Sequence, residues 1–251
     1  MTHLPPGQRA VQGLPRFGVD VTHPPPAVPA DVIVEVTGAL TRTVSFAPSA
    51  MSDLPRRTVD ASLHCVAGWS AVALCWEGVP FRDLYRLLIE PALSPGEPVR
   101  YVVFVGFDGY RSIVLLDDVL AENVLLADRL DGHPLTPEHG APLRLVSPDQ
   151  YGFISTKHLC RIELYSSEPA GFYHPAKSIQ RALRTVRPHP RARVWREERH
   201  RYVPSWLVRP IYRLLVKLPA PLASPADGSA NPDDPASTGL PPAATDPGSD
   251  R

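Results

Sequence analysis

Hydrophobic and polar residues change rhythm several times along the chain, and each change predicts an element. VIVEVTGAL (32–40) alternates and predicts a strand that turns at Gly38. VDASLHCVAG (59–68) predicts a strand that runs into a loop at Cys65. GVPFRDLYRLLIEP (78–91) predicts a helix opened by Pro80, with Leu84, Leu87 and Leu88 on one face and Pro91 as its stop. RYVVFVGFDGYRSIVLL (100–116) predicts a hairpin turning at Asp108-Gly109. DDVLAENVLLADRL (117–130) reads as a short helix or two turns, with Asp117-Asp118 as its N-cap. APLRLVSPDQYGF (141–153) and HLCRIELYS (158–166) predict two further strands around a Pro-containing turn. Strands with interspersed short helices, lacking regular strand–helix alternation, point to a mixed α+β domain over residues 25–175.

The ends have a different character. Residues 1–24 are proline-rich and aperiodic, which predicts an extended arm that wraps the surface or enters a site. Residues 181–201 carry eight arginines against two glutamates, within an extension spanning 176–218. Aromatic interleaving there is sparse, so the segment reads as a solvated or core-wrapping one and not as a nucleic-acid site. WLVRPIYRLLVKL (206–218) is a basic amphipathic stretch that docks on the domain or, in a second reading, touches a membrane surface or a partner. Residues 219–251 hold eight prolines and few large apolar side chains, which predicts a disordered tail.

Composition narrows the picture. The chain has 26 basic and 26 acidic residues, so net charge points to no polyanionic partner. Three cysteines, none in a C-x-x-C pair, argue against a disulfide framework and against a zinc knuckle. No run approaches the roughly 18 apolar residues of a membrane span, and the N-terminus shows no export signal, so a cytoplasmic location is expected.

Two segments carry candidate chemistry. Cys65 sits at a strand end between His64 and Gly68-Trp69-Ser70, where a soft thiolate is open to a polarisable metal. Cys75 and Cys160 lie inside apolar runs and read as core fillers. The second segment, 139–159, gathers His139, Arg144, Ser155, Thr156 and Lys157 around a Gly-containing turn, the donor set an anionic, phosphorylated ligand needs. Asp108, Tyr110 and Arg111 on the hairpin tip are further residues that could face a substrate, although turn chemistry alone explains Asp-Gly.

LHCVAGWSAVALCWEGVPFRDLYRLL and HGAPLRLVSPDQYGFISTKHLCRIEL resemble, in order and separation, the two signatures of the sulfite oxidase family molybdopterin-binding domain. GLPRFG (13–18) is similar to a third, weaker segment. The resemblance covers roughly residues 13–175. It implies the family's mixed-sheet α+β fold as a single domain with a molybdenum–pterin cofactor. It further implies Cys65 as metal ligand and catalytic centre, with His139, Arg144, Ser155, Thr156 and Lys157 on the pterin and its phosphate, and Arg16 and Phe17 closing over it. The expected activity is two-electron oxygen-atom transfer to or from a small oxo donor or acceptor, with a separate electron-transfer partner. Trp69-Ser70 stand where sulfite oxidases proper carry arginines. That is more similar to the bacterial methionine-sulfoxide-reductase branch, and it leaves the substrate open. The same departure supports the alternative of a non-catalytic binding or interaction module that keeps the fold.

Overall fold

A computed structural model describes residues 4–15, 24–96, 98–169, 189–204, 206, 207 and 210. Its centre is a five-stranded mixed sheet in the order β3-β2-β13-β8-β9: Val44–Phe46, Val34–Gly38, Leu159–Tyr165, Tyr101–Gly106 and Arg111–Leu115. Strands β2 and β13 run parallel and the other neighbours antiparallel. Strand β2 shows why alternation reads cleanly: Val34 and Val36 are buried while Glu35 and Thr37 face outward. Strand β8 is buried on both faces. Val102 and Phe104 join the main core, and Val103 and Val105 join a small cluster with Ile113. The predicted hairpin is β8–β9, and the Asp108 carboxylate accepts the Tyr110 N–H across the turn.

A second sheet runs β11-β10-β7-β4: His133–Pro134, Leu125–Leu130, Cys75–Pro80 and Arg57–Asp60, with β12 (Arg144–Val146) also on β10. The third is small, β1-β6-β5, formed by Arg9–Val11, Trp69–Ala71 and Leu63–His64. The N-terminal arm is therefore extended and adds a parallel strand to β6.

Several expectations need correction. Residues 59–68 are not one strand. The Ala61 N–H donates to Leu74 O at 2.9 Å and its carbonyl accepts the Trp76 indole N–H at 3.2 Å. That pinning bends the chain, so β4 pairs with β7 while β5 enters the third sheet. The second half of 117–130 is strand β10, paired on both edges, after a single helical turn α2 (Leu116–Val119). Tertiary pairing there outweighs local helix propensity. Within α2, Leu115 takes the N-cap position, and Asp118 instead pairs with Arg191 at 3.0 Å.

The helix over 78–91 begins one residue late, because Pro80 closes β7. Its first turn, α1 (Phe81–Leu84), widens to i→i+5 bonding over Tyr85–Ile89 and tightens over Glu90–Ala92. The wide turn rotates the buried face onto Phe81, Leu84, Tyr85 and Ile89, leaving Leu87 54% exposed. Cys75 and Cys160 are half-buried and not core residues.

The described part of the basic extension packs against the domain. Ala192 and Val194 enter the main core, and Tyr151 N–H and Val194 N–H bond Ala192 O and Asp149 O at 2.9 Å each. Arg191, Arg193 and Arg201 pair with Asp118, Glu198 and Glu168. Arg196 is exposed, and Arg181, Arg184 and Arg187 lie outside the described residues. Most of 206–218 and all of 219–251 lie outside the described residues; Trp206 and Leu207 are exposed. No helix among the described residues is long and apolar enough to cross a membrane.

Ile89→Ala should destabilise the protein by about 2–5 kcal/mol in urea unfolding, the cost of a cavity in a packed core. Leu87→Ala should stay within about 0.5 kcal/mol. Equal costs would restore the 84/87/88 face.

Candidate cofactor site

Cys65 opens a tight turn between β5 and β6. Its N–H donates to Trp69 O at 2.8 Å, and its carbonyl accepts the Gly68 N–H at 3.0 Å. Gly68 has φ +93°, a left-handed conformation that a side chain resists, so glycine closes the turn. As a residue Cys65 is half-buried, yet its sulfur is desolvated. Burial pushes the thiol up to about 12, against a backbone hydrogen bond at Ala67 and the Arg199 charge, which act the other way. With no metal bound, the thiol keeps its proton.

The N-terminal arm grips this turn. Gln8 donates from Nε2 to Cys65 O at 3.1 Å, and its Oε1 accepts the Ser70 hydroxyl at 3.1 Å. A carbonyl only accepts, so the amide orientation is fixed and the single Ser70 proton is spent on Oε1. His64 Nδ1, 2.7 Å from Ser70 Oγ, must therefore be the donor, which leaves Nε2 bare. Burial lowers the His64 pKa to about 4, so the ring is neutral at ordinary pH.

Arg144, on β12, is the second centre. The residue is 2% exposed, and its guanidinium lies 5.0 Å from the centre of the Trp76 ring. It donates to three carbonyls: His139 O at 2.9 Å, Ser155 O at 3.3 Å and, weakly, Leu145 O at 3.5 Å. Among the described residues it makes no ion pair, and burial alone lowers it to about 10. His139 ends a 3-10 turn (Pro137–His139) closed by Gly140 at φ +104°. A Cβ at Gly140 would stand 3.0 Å from Lys157 Cβ, so this glycine also lets Lys157 approach. The Lys157 ammonium donates to Glu138 O at 2.9 Å. His139 Nε2 donates to Leu14 O at 3.0 Å, and burial lowers its pKa. Ser155 Oγ accepts the Ser147 N–H, and Thr156 Oγ1 bonds Ser112 Oγ at 2.7 Å.

The structure thus brings His139, Arg144, Ser155, Thr156 and Lys157 together around one turn. Trp76, Trp69, Leu14 and Cys65 share one apolar cluster, which joins this turn to the cysteine turn. Arg16 and Phe17 lie outside the described residues, directly after Leu14 and Pro15. Tyr110 and Arg111 on the hairpin tip are bonded to Phe153 O and Glu163. A cavity of about 620 Å³ between 26–33 and Pro137–Pro142 contains none of the candidate residues.

Residues 22–173, more than half of the chain, match the oxidoreductase molybdopterin binding domain. The chain belongs to this family. Among its relatives, the uncharacterized oxidoreductase YuiH of Bacillus subtilis is 39% identical over 119 residues, 47% of this chain and 58% of that protein. The protein-methionine-sulfoxide reductase catalytic subunit MsrP of Xanthomonas campestris is 33% identical over 126 residues, 45% of this chain and 38% of that one. The chain therefore spans less than two thirds of those relatives' length, 58% of one and 38% of the other. A solved chain of the sulfane dehydrogenase SoxCD from Paracoccus pantotrophus overlays at a TM-score of 0.47 and 23% identity, covering 54% of this chain and 38% of that one.

The residues present fit the group that the family binds. Molybdopterin brings a phosphate, and Arg144 is a buried cation whose only described partners are carbonyls and a ring. Burying an unneutralised ion costs several kcal/mol, a cost that an arriving anion removes. Cys65 supplies the soft donor suited to molybdenum.

Sequence reasoning missed Gln8, Trp76, Tyr151 and Arg199, and marked Ser70 only as part of the turn after Cys65. Gln8 stands in an arm with no periodicity, and Arg199 is one arginine among eight, so neither carried a signal. Arg199 is 1% exposed, donates to Val66 O and to Gly7 O (3.3 Å), and stacks 4.9 Å over the Tyr151 ring.

His64 yields a pH test. Folded, it takes a proton only near pH 4; unfolded, near 6.5. Between those values the unfolded chain binds more protons, so stability is intact above 6.5 and is lost toward pH 4, by at most ~1.4 kcal/mol per pH unit. His64→Asn, which keeps an amide donor for Ser70, should flatten the stability-against-pH curve by that slope. A curve parallel to wild type would assign the acid sensitivity to His139, His158, His189 and His200, which burial also lowers.

Proposed function

We propose that this chain is a molybdopterin-dependent oxidoreductase that exchanges one oxygen atom with a small substrate, with Cys65 as the metal's protein ligand. The observation that carries the reading is the buried Arg144 guanidinium, which meets no carboxylate among the described residues and stacks on Trp76, a member of the apolar cluster that reaches Cys65, in a molybdopterin-binding family. When bound, the cofactor supplies two-electron oxygen-atom transfer.

The chain's residues bind, orient and keep the site dry. Arg144, Lys157 and His139 would hold the phosphate end, with Ser155 and Thr156 shaping the turn; Arg16 and Phe17, which the family resemblance implies as further cofactor contacts, lie outside the described residues. Cys65 gives up its proton on ligation, and the Gln8–Ser70–His64 chain fixes the turn from which its sulfur points. Trp69 and Trp76 exclude water between the two centres. None of these side chains needs to act as a nucleophile.

Trp69-Ser70 follow Cys65 without an arginine, and a relative is named a methionine-sulfoxide reductase; both favour an S-oxide over sulfite. The centre would exchange electrons with a separate electron-transfer partner; among the described residues no group of three or more His, Cys, Asp and Glu side chains is placed to hold a metal. Three free cysteines suit a reducing, cytoplasmic compartment.

Protein made in a cofactor-competent host should contain near-stoichiometric molybdenum. It should turn over S- or N-oxides, or sulfite, with an artificial electron dye. Cys65→Ser should keep its melting temperature and lose turnover. An active Cys65→Ser enzyme contradicts the mechanism, and stable wild-type protein without molybdenum supports a non-catalytic module instead.

Arg144→Met should cut cofactor retention by about tenfold or more, the effect of losing charge-assisted bonds to the phosphate. Wild-type pterin content in that variant would place the phosphate elsewhere.

A further inference from the structure

We infer that Gln150 is a positioning residue for the cofactor turn: its amide locks Ser147 against the C-terminal extension, and Ser147 in turn holds Ser155 with its hydroxyl proton left to donate to the phosphate end of the cofactor. The inference rests on the molybdopterin reading above. The extension it calls on lies outside the family match over 22–173, so the coupling belongs to this chain's own arm and not to the family domain alone.

Every side chain of the relay is buried. Gln150 Nε2 donates to Arg191 O at 2.6 Å, and its Oε1 accepts the Ser147 hydroxyl at 2.7 Å. The Arg191 carbonyl only accepts, so the amide cannot turn over without losing both bonds. The single Ser147 proton is therefore spent on Gln150. The Gln150 N–H also donates to Ser147 O at 3.2 Å, so main chain and side chain close the same turn. From that turn the Ser147 N–H donates to Ser155 Oγ at 3.2 Å. The bond fills an acceptor site on the Ser155 hydroxyl, whose own proton meets no acceptor among the described residues. A hydroxyl held in this way is a donor, which is what an anion requires.

Both ends of the relay are anchored. At the extension, the Tyr151 N–H donates to Ala192 O and the Val194 N–H to Asp149 O, each at 2.9 Å, and Gln150 forms a bridge with Arg193. Ala192 and Val194 are in the main core, so the Arg191 carbonyl between these bonds has little freedom. At the cofactor turn, Ser155 O accepts the buried Arg144 guanidinium at 3.3 Å, and the Leu145 N–H donates to Thr156 O at 2.8 Å. The residue that receives the relay is thus also one that holds the buried cation. Removing the Gln150 amide strands the Arg191 carbonyl and the Ser147 hydroxyl, and a buried polar group left unpaired costs more than a neutral bond returns.

The test follows pterin loss on dilution from holoprotein carrying Gln150→Leu, Ser147→Ala or Ser155→Ala, and from the two double variants that include Ser155→Ala. Gln150→Leu and Ser147→Ala should each quicken pterin loss by about tenfold. Neither should quicken it further once residue 155 is alanine, whereas a merely structural role would add to the Ser155→Ala loss. Arg191→Ala, which keeps the carbonyl and gives up the Asp118 ion pair, should release pterin at the wild-type rate. Wild-type retention in Gln150→Leu overturns the relay, as do additive losses in the double variants or equal quickening in Arg191→Ala. If Gln150→Leu does not fold, Ser147→Ala decides by the same criteria. Wild-type protein without pterin would defeat the molybdopterin reading instead. Amide hydrogen exchange on that metal-free protein would still decide the relay: exchange at the Ser147 N–H should quicken by about tenfold in Gln150→Leu, and a wild-type rate there overturns it.

Discussion

A guanidinium buried with no carboxylate among the described residues carries a desolvation cost that much of the site is built to tolerate. Arg144 is held by three carbonyls and the face of Trp76, partners that satisfy its N–H groups but leave its charge. Those carbonyls come from the His139 turn, from β12 and from Ser155. Fixing Arg144 therefore also fixes the turn that presents His139 and Lys157. A surface arginine would need none of this. An anion that enters the site gains an interaction the fold has already prepared, and preorganisation of that kind is how a protein spends stability on binding.

The same economy governs the cysteine turn, with polar groups of the opposite kind. Cys65, Val66 and Gly68 expose carbonyls, and each is met by a donor from a chain end: Gln8 on Cys65, Arg199 on Val66, and the Arg9 N–H on Gly68 at 3.1 Å. A four-residue turn cannot satisfy its own backbone, and here two distant segments do so. Order in the turn thus depends on order in both arms.

The fold was legible where side-chain period and burial agree. Strand β2 and the β8–β9 hairpin follow their alternation and turn chemistry directly. Residues 125–130 misled because LLADRL has no strand period, and its identity as β10 comes from pairing with β7 and β12. The helix face over 84–88 misled because the chain switches to a wide turn at Tyr85, which no residue type announces. At the site, the two motifs marked Cys65 and the His139–Lys157 turn. Their connection runs through Trp76, to which the sequence attached no role. Gln8 and Arg199 act through long-range bonds, Gln8 to Cys65 across 57 residues and Arg199 to Val66 across 133, and local pattern contains no trace of such bonds.

The central claim is that Cys65 is the protein's ligand to molybdenum. X-ray absorption at the molybdenum edge, on metal-loaded wild type and on Cys65→Ala, tests it most directly. The account predicts that the variant loses a sulfur from the metal's first coordination sphere while the protein still retains pterin. An unchanged sulfur count in Cys65→Ala would contradict it.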